Sequence, residues 1–173
     1  MDRSEEQGLL RLAQQGDAEA FAALYQAHVQ AIFRYVFHRV NDVQMAEDLT
    51  GDVFMRALQS IGTYSDQGKP FVAWLYTIAH ARVVDHYRKT KRRPAESDVD
   101  AEALAVHPDM DQNLVRRQAA RALRQAITLL TDEQQQVIIL RFIEGQRIEA
   151  VAQIMGKQVN AIKALQHRAL RAL

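Results

Sequence analysis

The chain has 173 residues, 48% hydrophobic and 25% charged, which is typical of a folded protein with one medium domain or two small ones. It has no cysteine, which excludes a disulfide framework, a thiolate metal site and a cysteine nucleophile. Glycine and proline are scarce and strand-like alternation is hard to find, so we expect an all-α fold. The polar N-terminus and the short apolar runs predict a cytoplasmic protein with no signal peptide and no membrane span.

The net charge of +1 hides a strong local segregation of charge. Residues 94–114 carry six acidic side chains and no lysine or arginine, whereas residues 115–173 carry ten lysines and arginines and four acidic side chains. A second basic cluster lies over residues 88–93. Basic helical segments attract phosphate, although a single charge run is more often a solvated face. The acidic stretch contains two prolines and has no helical stripe, which predicts a flexible acidic linker between two small helical domains.

The N-terminal part carries the signals of four helices. A capping box over residues 4–7 (S-E-E-Q) opens the first, and Gly16 ends it. Asp17 caps a second helix, whose apolar positions recur every three or four residues until a break at residues 41–42. A third helix is predicted over about residues 43–61.

The third and fourth helices flank a polar loop. We expect the apolar side chains of the third helix, Leu58 among them, to point inward and its charged side chains to point outward. The loop spans residues 62–69, and Pro70 then occupies the first turn of the fourth helix. Trp74 could be a stacking wedge, but its spacing from Phe71 favours core packing.

The part after the linker carries the signals of four helices. The first, over about residues 112–130, is predicted to bury its apolar positions, which are Leu114, Val115, Ala119, Ala122, Leu123, Ala126, Ile127 and Leu130. A second capping box, T-D-E-Q, begins the next helix at residues 131–134. Residues 147–155, a left-handed Gly156 and a last helix over residues 159–173 have the pattern of a helix-turn-helix.

The last helix has one apolar and one basic face. The apolar face carries Ile162, Leu165, Ala169 and Leu173. The other face carries Asn160, Lys163, Ala164, His167 and Arg171, with Arg168 at the border. These side chains suit base edges and phosphates, and no acid is among them. An αα-hairpin with a polar surface need not bind DNA, so this pattern alone leaves a purely structural role open.

Four segments carry a resemblance to a known family. Residues 48–58 (DLTGDVFMRAL) are similar to its polymerase-docking helix, and residues 70–88 resemble its minus-ten-element helix. Residues 129–145 and 161–169 resemble its minus-thirty-five-reading domain. In this order and spacing, the chain resembles an extracytoplasmic-function sigma factor, a two-domain subunit of bacterial RNA polymerase. The resemblance covers nearly the whole chain.

The resemblance implies a division into region 2 at 1–93, the acidic linker at 94–113 and region 4 at 114–173. Such a protein binds the clamp and flap of core RNA polymerase, recognises both elements of promoter DNA, melts the duplex and directs transcription initiation, in a stress or envelope response. It would be cytoplasmic and associated with the nucleoid in the holoenzyme. An anti-sigma factor is a further partner that the family commonly has.

The resemblance and the residue chemistry together give three sets of candidate residues. The minus-thirty-five set is Gln158, Asn160, Lys163, Ala164, His167, Arg168 and Arg171. The minus-ten set, in whose loop the family has its flipped-base pocket, is Thr63, Tyr64, Ser65, Asp66, Gln67, Lys69, Arg82, His86, Arg88 and Lys89. The polymerase-docking set is Glu47, Asp48, Asp52 and Arg56.

Four positions depart from the family pattern. Gly51 stands where Gln is usual and softens the docking helix, and Ala81 replaces a common Asn. Gln158 lies where a Ser or Thr caps the recognition helix, and Lys157 lies where an apolar residue packs.

The sequence leaves two other classes of protein open. A stand-alone dimeric helix-turn-helix regulator would explain residues 147–173 but gives no role to residues 17–93. An enzyme using Asp48 and Asp52 as paired carboxylates would need partners that the sequence does not offer at useful spacing. We therefore predict no catalytic residue, no cofactor and no metal site.

Overall fold

The structure, a computed structural model, describes residues 1–91 and 110–173, with only the backbone at residues 110–113. The described residues form helices and turns without a strand, as the composition predicts. The helices are α1 (Arg3–Gln14), α2 (Ala18–Val40), α3 (Val43–Ser60), α4 (Phe71–Thr90), α5 (Met110–Thr128), α6 (Asp132–Ile138), α7 (Ile148–Met155) and α8 (Val159–Ala172). A 3₁₀ turn covers Ile61–Thr63 and a π-helical turn covers Ile139–Ile143.

Helices α1–α4 form an N-terminal module around one apolar core. Tyr35 and Tyr76 are fully buried and meet edge to face, with ring centroids 5.3 Å apart. The predicted cap at Asp17 is confirmed, since its carboxylate accepts the backbone amide of Ala20. Left-handed Asn41 ends α2 at the predicted break. The sequence therefore sets the limits of α2 through its own capping chemistry.

The capping box predicted over residues 4–7 is wrong, because α1 begins earlier. The carboxylate of Asp2 accepts the Glu5 amide at 2.8 Å, and the Glu5 carboxylate accepts the Asp2 amide at 3.0 Å. Two reciprocal hydrogen bonds from charged side chains satisfy the helix terminus better than the Ser4 hydroxyl, which lies within the first turn.

Helices α6–α8 and the end of α5 form a C-terminal module. Its core includes the fully buried Ile127, Leu140 and Ile162. The capping box at Thr131 and Gln134 is confirmed. Gly156 has φ +62° between α7 and α8, as predicted, so a left-handed glycine makes the turn of a helix-turn-helix.

The packing predicted for α5 is wrong over most of its length. The helix begins at Met110, two residues before its predicted start, so it takes in residues 110 and 111. The rest of the predicted acidic linker, residues 94–109, lies outside the described residues. Five of the eight apolar positions predicted to be buried are exposed: Leu114, Val115, Ala119, Ala122 and Leu123. Ile127 and Leu130 are buried, because α5 reaches the core only near its C-terminal end.

Two other leucines expected on inner faces are exposed. Leu58 is 47% exposed, since the core-facing stripe of α3 continues through Ala57 to Ile61 and passes beside it. Leu173 is 46% exposed at the end of α8, one turn beyond the buried Ala169. Apolar periodicity therefore overestimates burial at helix ends, where no partner helix covers the last turn.

The two modules contact each other through charged side chains. Arg34 in α2 donates two hydrogen bonds to the Glu144 carboxylate, at 3.0 and 2.9 Å. The Tyr76 hydroxyl lies 3.3 Å from the same carboxylate. Arg39 forms an ion pair with Asp132. Helix α4 also packs on α7, so the C-terminal module lies beside the helix that follows the polar loop.

Candidate nucleic-acid interface

Helix α8 presents a polar face to solvent. Its inner face is fixed by the buried side chains of Ile162, Leu165 and Ala169. All seven candidates for the minus-thirty-five set are exposed: Gln158, Asn160, Lys163, Ala164, His167, Arg168 and Arg171. The arrangement leaves donors and positive charge accessible along one side of a helix, as major-groove reading requires.

Polar contacts hold α8 against the rest of its module. Arg141 donates to the side-chain oxygen of Gln166 at 3.1 Å and to the backbone carbonyl of Gln146 at 2.6 Å. The ammonium of Lys157 lies 2.8 Å from the Glu133 carboxylate, so Lys157 ties the turn to α6 instead of packing in the core. Gln158 occupies the N-cap without a side-chain capping bond, as the sequence predicts.

The polar loop before α4 forms one wall of a cleft of about 380 Å³. Loop residues Thr63, Tyr64, Ser65, Gln67 and Lys69 line it, together with Ser60, Ala73, Trp74, Thr77 and Gln153. Most of the loop is exposed, and Gly68 makes its turn at φ +77°. Asp66, the remaining candidate from the loop, accepts the Gly68 amide at 2.9 Å. The loop thus brings five of the predicted residues to one cavity.

An aromatic cluster supports the cleft from behind. The Tyr64 ring lies 4.8 Å from that of Trp74 and 5.5 Å from that of Phe71, between centroids. Burial, helped by the nearby Asp66, raises the pKa of the Tyr64 hydroxyl, which therefore remains protonated and neutral. Trp74 packs on Phe71, as predicted from its spacing, but it is only partly buried and also lines the cleft. The prediction that Trp74 packs in the core is therefore right for its contact with Phe71 but misses its place in the cleft wall.

The other minus-ten candidates lie along α4 and do not line this cleft. Arg82 is largely buried and forms ion pairs with Asp52 of α3 and with Asp85, the latter at 2.9 Å. His86 is half-buried, and burial lowers its pKa. Arg88 and Lys89 are exposed in the last turn of the helix, where positive charge also complements the helix dipole. The structure therefore separates the cleft from a basic helix end.

The docking candidates lie on the outer face of α3. Glu47, Asp48 and Arg56 are exposed, as predicted. Asp52 is half-buried between Arg82 and Arg56, with 3.8 Å to the Arg56 guanidinium. Asp52 therefore joins α3 to α4, whereas Glu47 and Asp48 form the accessible acidic surface.

Two glutamines of α1, neither of them predicted as a site residue, reach the loop. The side-chain amides of Gln7 and Gln14 donate hydrogen bonds to it. These contacts join residues 47 to 59 positions apart, so no local pattern could reveal them. Gln153 of α7 is a third such residue, since it comes to the cleft from the other module.

Comparison with known proteins identifies two family regions. The model "Sigma-70 region 2" matches residues 24–93, and "Sigma-70, region 4" matches residues 113–173. The ECF RNA polymerase sigma factor SigX of Bacillus subtilis is 31% identical, with 90% of this chain and 82% of SigX covered. The ECF RNA polymerase sigma factor BldN of Streptomyces coelicolor is 38% identical over 95% of this chain, which spans only 63% of BldN.

Two solved structures have a similar fold. The sigma factor RpoE of Bartonella quintana, in complex with the anti-sigma factor NepR, superposes with a TM-score of 0.69 at 26% identity, covering 90% of this chain and 94% of RpoE. CnrH, in complex with the cytosolic domain of CnrY, has a TM-score of 0.74 over 97% of this chain and 94% of CnrH. Its 22% identity makes CnrH evidence of fold alone.

The fold, the two family regions and the relatives together define the class: this is a sigma factor of the sigma-70 family. Within it, the chain belongs to the extracytoplasmic-function (ECF) group, whose members are promoter-specificity subunits of bacterial RNA polymerase. The resemblance read from the sequence is confirmed. Among the residues that the structure describes, no helix is long and apolar enough to cross a membrane.

Proposed function

We propose that the two modules divide promoter recognition between them. The module at residues 1–93 binds core polymerase and captures and melts the minus-ten element. The module at residues 114–173 reads the minus-thirty-five element, and residues 94–113 join the two. The observation that carries this proposal is the exposed, acid-free outer face of α8 in a chain that also has a polar cleft in its other module. One chain then offers two separate surfaces for one promoter.

The outer face of α8 supplies both kinds of contact that duplex recognition needs. Asn160 and Arg168 have donors suited to purine edges in the major groove. Lys163 and Arg171 provide positive charge for phosphates, which sets the register of the helix on the duplex. His167 and Gln158 complete the polar surface, and the small Ala164 allows close approach to a base.

The cleft beside Trp74 suits an unstacked base of the minus-ten element. Its volume of about 380 Å³ accommodates one base, and its rim carries the hydroxyls and amide of Thr63, Ser65 and Gln67. An aromatic wall favours a base that has left its stack, at about 1–3 kcal/mol per stacked base. Lys69 at the rim can contact the sugar-phosphate backbone. Arg88 and Lys89 extend this basic path along α4.

Docking and regulation use other surfaces of the same chain. Glu47 and Asp48 give α3 an accessible acidic face for the clamp of core polymerase, while the C-terminal module meets the flap. RpoE binds an anti-sigma factor, and we extend that class of partner to this chain. We further propose that the protein acts in the cytoplasm and on the nucleoid, in a stress or envelope response. It supplies recognition and has no catalytic activity of its own.

Reconstituted transcription tests the proposal. Core RNA polymerase with this chain is expected to produce RNAs from a genomic template library whose start sites share two upstream motifs. A stand-alone regulator would instead bind duplex DNA without polymerase and start no RNA. Absence both of new transcripts and of stable binding to core polymerase would contradict the proposed function.

A further inference from the structure

Helix α1 holds both ends of the turn that begins the cleft loop. The side-chain amide of Gln14 donates to the carbonyl oxygen of Ile61 at 3.1 Å and to that of Tyr64 at 2.8 Å. The amide of Tyr64 also donates to the Ile61 carbonyl at 3.1 Å, which closes the 3₁₀ turn. One side chain therefore fixes the spacing of two backbone carbonyls at the point where the chain leaves α3 and enters the loop.

A second glutamine of α1 holds the middle of the loop. The Gln7 amide donates to one carboxylate oxygen of Asp66 at 3.0 Å, and the other oxygen accepts the Gly68 amide at 2.9 Å. The Arg3 guanidinium lies 4.0 Å from the same carboxylate. Asp66 thus connects α1 to the loop segment whose glycine has a positive φ.

The loop is a thin wall between two cavities. On one side lies the cleft with Trp74, and on the other a second cavity of about 480 Å³ lies between the loop and α1. Tyr64 and Ser65 line both. Thr63 and residues 65–69 are exposed, so little apolar burial fixes their conformation. The hydrogen bonds from α1 are therefore a large part of what defines the shape of the loop.

We propose that α1 is a positioning element for recognition of the minus-ten element. Gln14 and Gln7 hold the loop in the conformation that accepts the base. The loop therefore loses less conformational entropy when DNA binds. This inference rests on the proposed role of the cleft. It adds a function for a helix that lies before residue 24, where the match to the sigma-70 region 2 model begins.

Substitutions at residue 14 test the inference in the assembled holoenzyme. Gln14→Glu keeps the size of the side chain but directs carboxylate oxygens at two carbonyl oxygens, which repel them. Gln14→Lys restores a donor to the same carbonyls. Gln15→Glu makes the same charge change at the neighbouring exposed position and is the control. Gln14→Met removes the donor without adding charge. It is used in place of Gln14→Glu if Gln14→Glu lowers the melting temperature of the protein.

The readout is the affinity of holoenzyme for a fork-junction DNA with unpaired minus-ten bases. Loss of two hydrogen bonds is expected to weaken fork binding about tenfold. Affinity for core polymerase and for a duplex containing only the minus-thirty-five element should remain unchanged. Gln14→Lys and Gln15→Glu should stay within about twofold of the parent chain.

Base preference separates positioning from a general structural role. Forks carrying each of the four bases at the captured position are compared, and a loosened loop is expected to reduce the ratio of best to worst base. A uniform loss for all four bases, or no loss, would overturn the inference. Gln67→Ala, a substitution in the cleft itself, shows whether a negative result contradicts the role of the cleft or only the role of α1. If it leaves fork binding intact, the cleft assignment fails; if it weakens binding while Gln14→Glu does not, only the role of α1 fails.

Discussion

Arg39 of α2 and Asp132 of α6 form an ion pair across the boundary between the two modules. The Arg39 side chain is fully buried, and its guanidinium also donates to the Tyr35 hydroxyl at 3.0 Å. A second ion pair joins the modules, between Arg34 and Glu144, and the Glu144 side chain is only 1% exposed. Burial of a charge is costly unless a partner compensates it, so these pairs favour closed contact between the modules while they remain intact.

Asp132→Ala is expected to open the contact between the modules. The substitution leaves Arg39 buried without its carboxylate, at a cost of about 1–3 kcal/mol given that Asp132 is half-exposed. Separation of the modules lets the guanidinium regain water. Small-angle scattering of the free protein should show a larger radius of gyration.

Glu133→Ala is the matched control for this opening. Glu133 is also an acid in the first turn of α6, but its ion pair is with Lys157 of its own module. The Glu133→Ala substitution should leave the radius of gyration unchanged. An unchanged radius in Asp132→Ala as well would show that the charged pair does not hold the modules together.

Protonation of His38 is expected to lower the free energy of unfolding in acid. Burial, with Arg124 and Arg34 adding to it, lowers the pKa of His38 to about 4. The unfolded chain has an ordinary histidine pKa of about 6.5, so it binds more protons than the folded state between these values. Folding therefore loses about 1–3 kcal/mol as the pH falls from about 6.5 to about 4. Burial also lowers the pKa of His80 and His86, which act in the same direction.

Urea unfolding of His38→Gln across this pH range checks the contribution. The variant cannot take up the proton, so its free energy of unfolding should fall less steeply with acid than that of the parent chain. If the free energy of unfolding falls equally steeply with acid in both proteins, His38 is not the source of the pH dependence.

Gly51→Ala is expected to stabilise the N-terminal module. Gly51 is exposed inside α3, and an added Cβ would meet no atom within 4 Å. Alanine should therefore raise the free energy of unfolding by about 0.5–1 kcal/mol. Gly156→Ala is the contrasting variant, because its φ of +62° disfavours any side chain. Equal effects of the two substitutions in chemical denaturation would refute this reasoning.

Lys163→Ala and Asp48→Lys should separate DNA reading from polymerase docking. Lys163→Ala removes the positive charge that we propose contacts a phosphate, so minus-thirty-five affinity should fall several-fold and its salt dependence should weaken, with core binding intact. Asp48→Lys should lower the affinity for core polymerase and leave minus-thirty-five affinity intact. Asp48 is preferred to Asp52 because Asp52 pairs with Arg82, and its loss would disturb α4. Equal loss of core affinity in both variants would contradict the division between the modules.

Local chemistry predicts the helices well and long-range packing poorly. Asp17, Thr131 and Gly156 set helix ends through hydrogen bonds or backbone geometry within a few residues, so the sequence alone locates them. The exposure of Leu114 and the pairing of Arg39 with Asp132 depend on which surfaces meet after folding. The same holds for Gln14, whose partners lie 47 and 50 residues away.

The central claim is that one chain holds two promoter elements in the same complex. Footprinting of the holoenzyme on a promoter from the transcription assay, with permanganate to detect unpaired thymines, tests it most directly. We expect two protected segments, one at each element, with reactive thymines at the downstream one, and Lys163→Ala should weaken only the upstream protection. A single protected segment with fully paired strands would contradict the account.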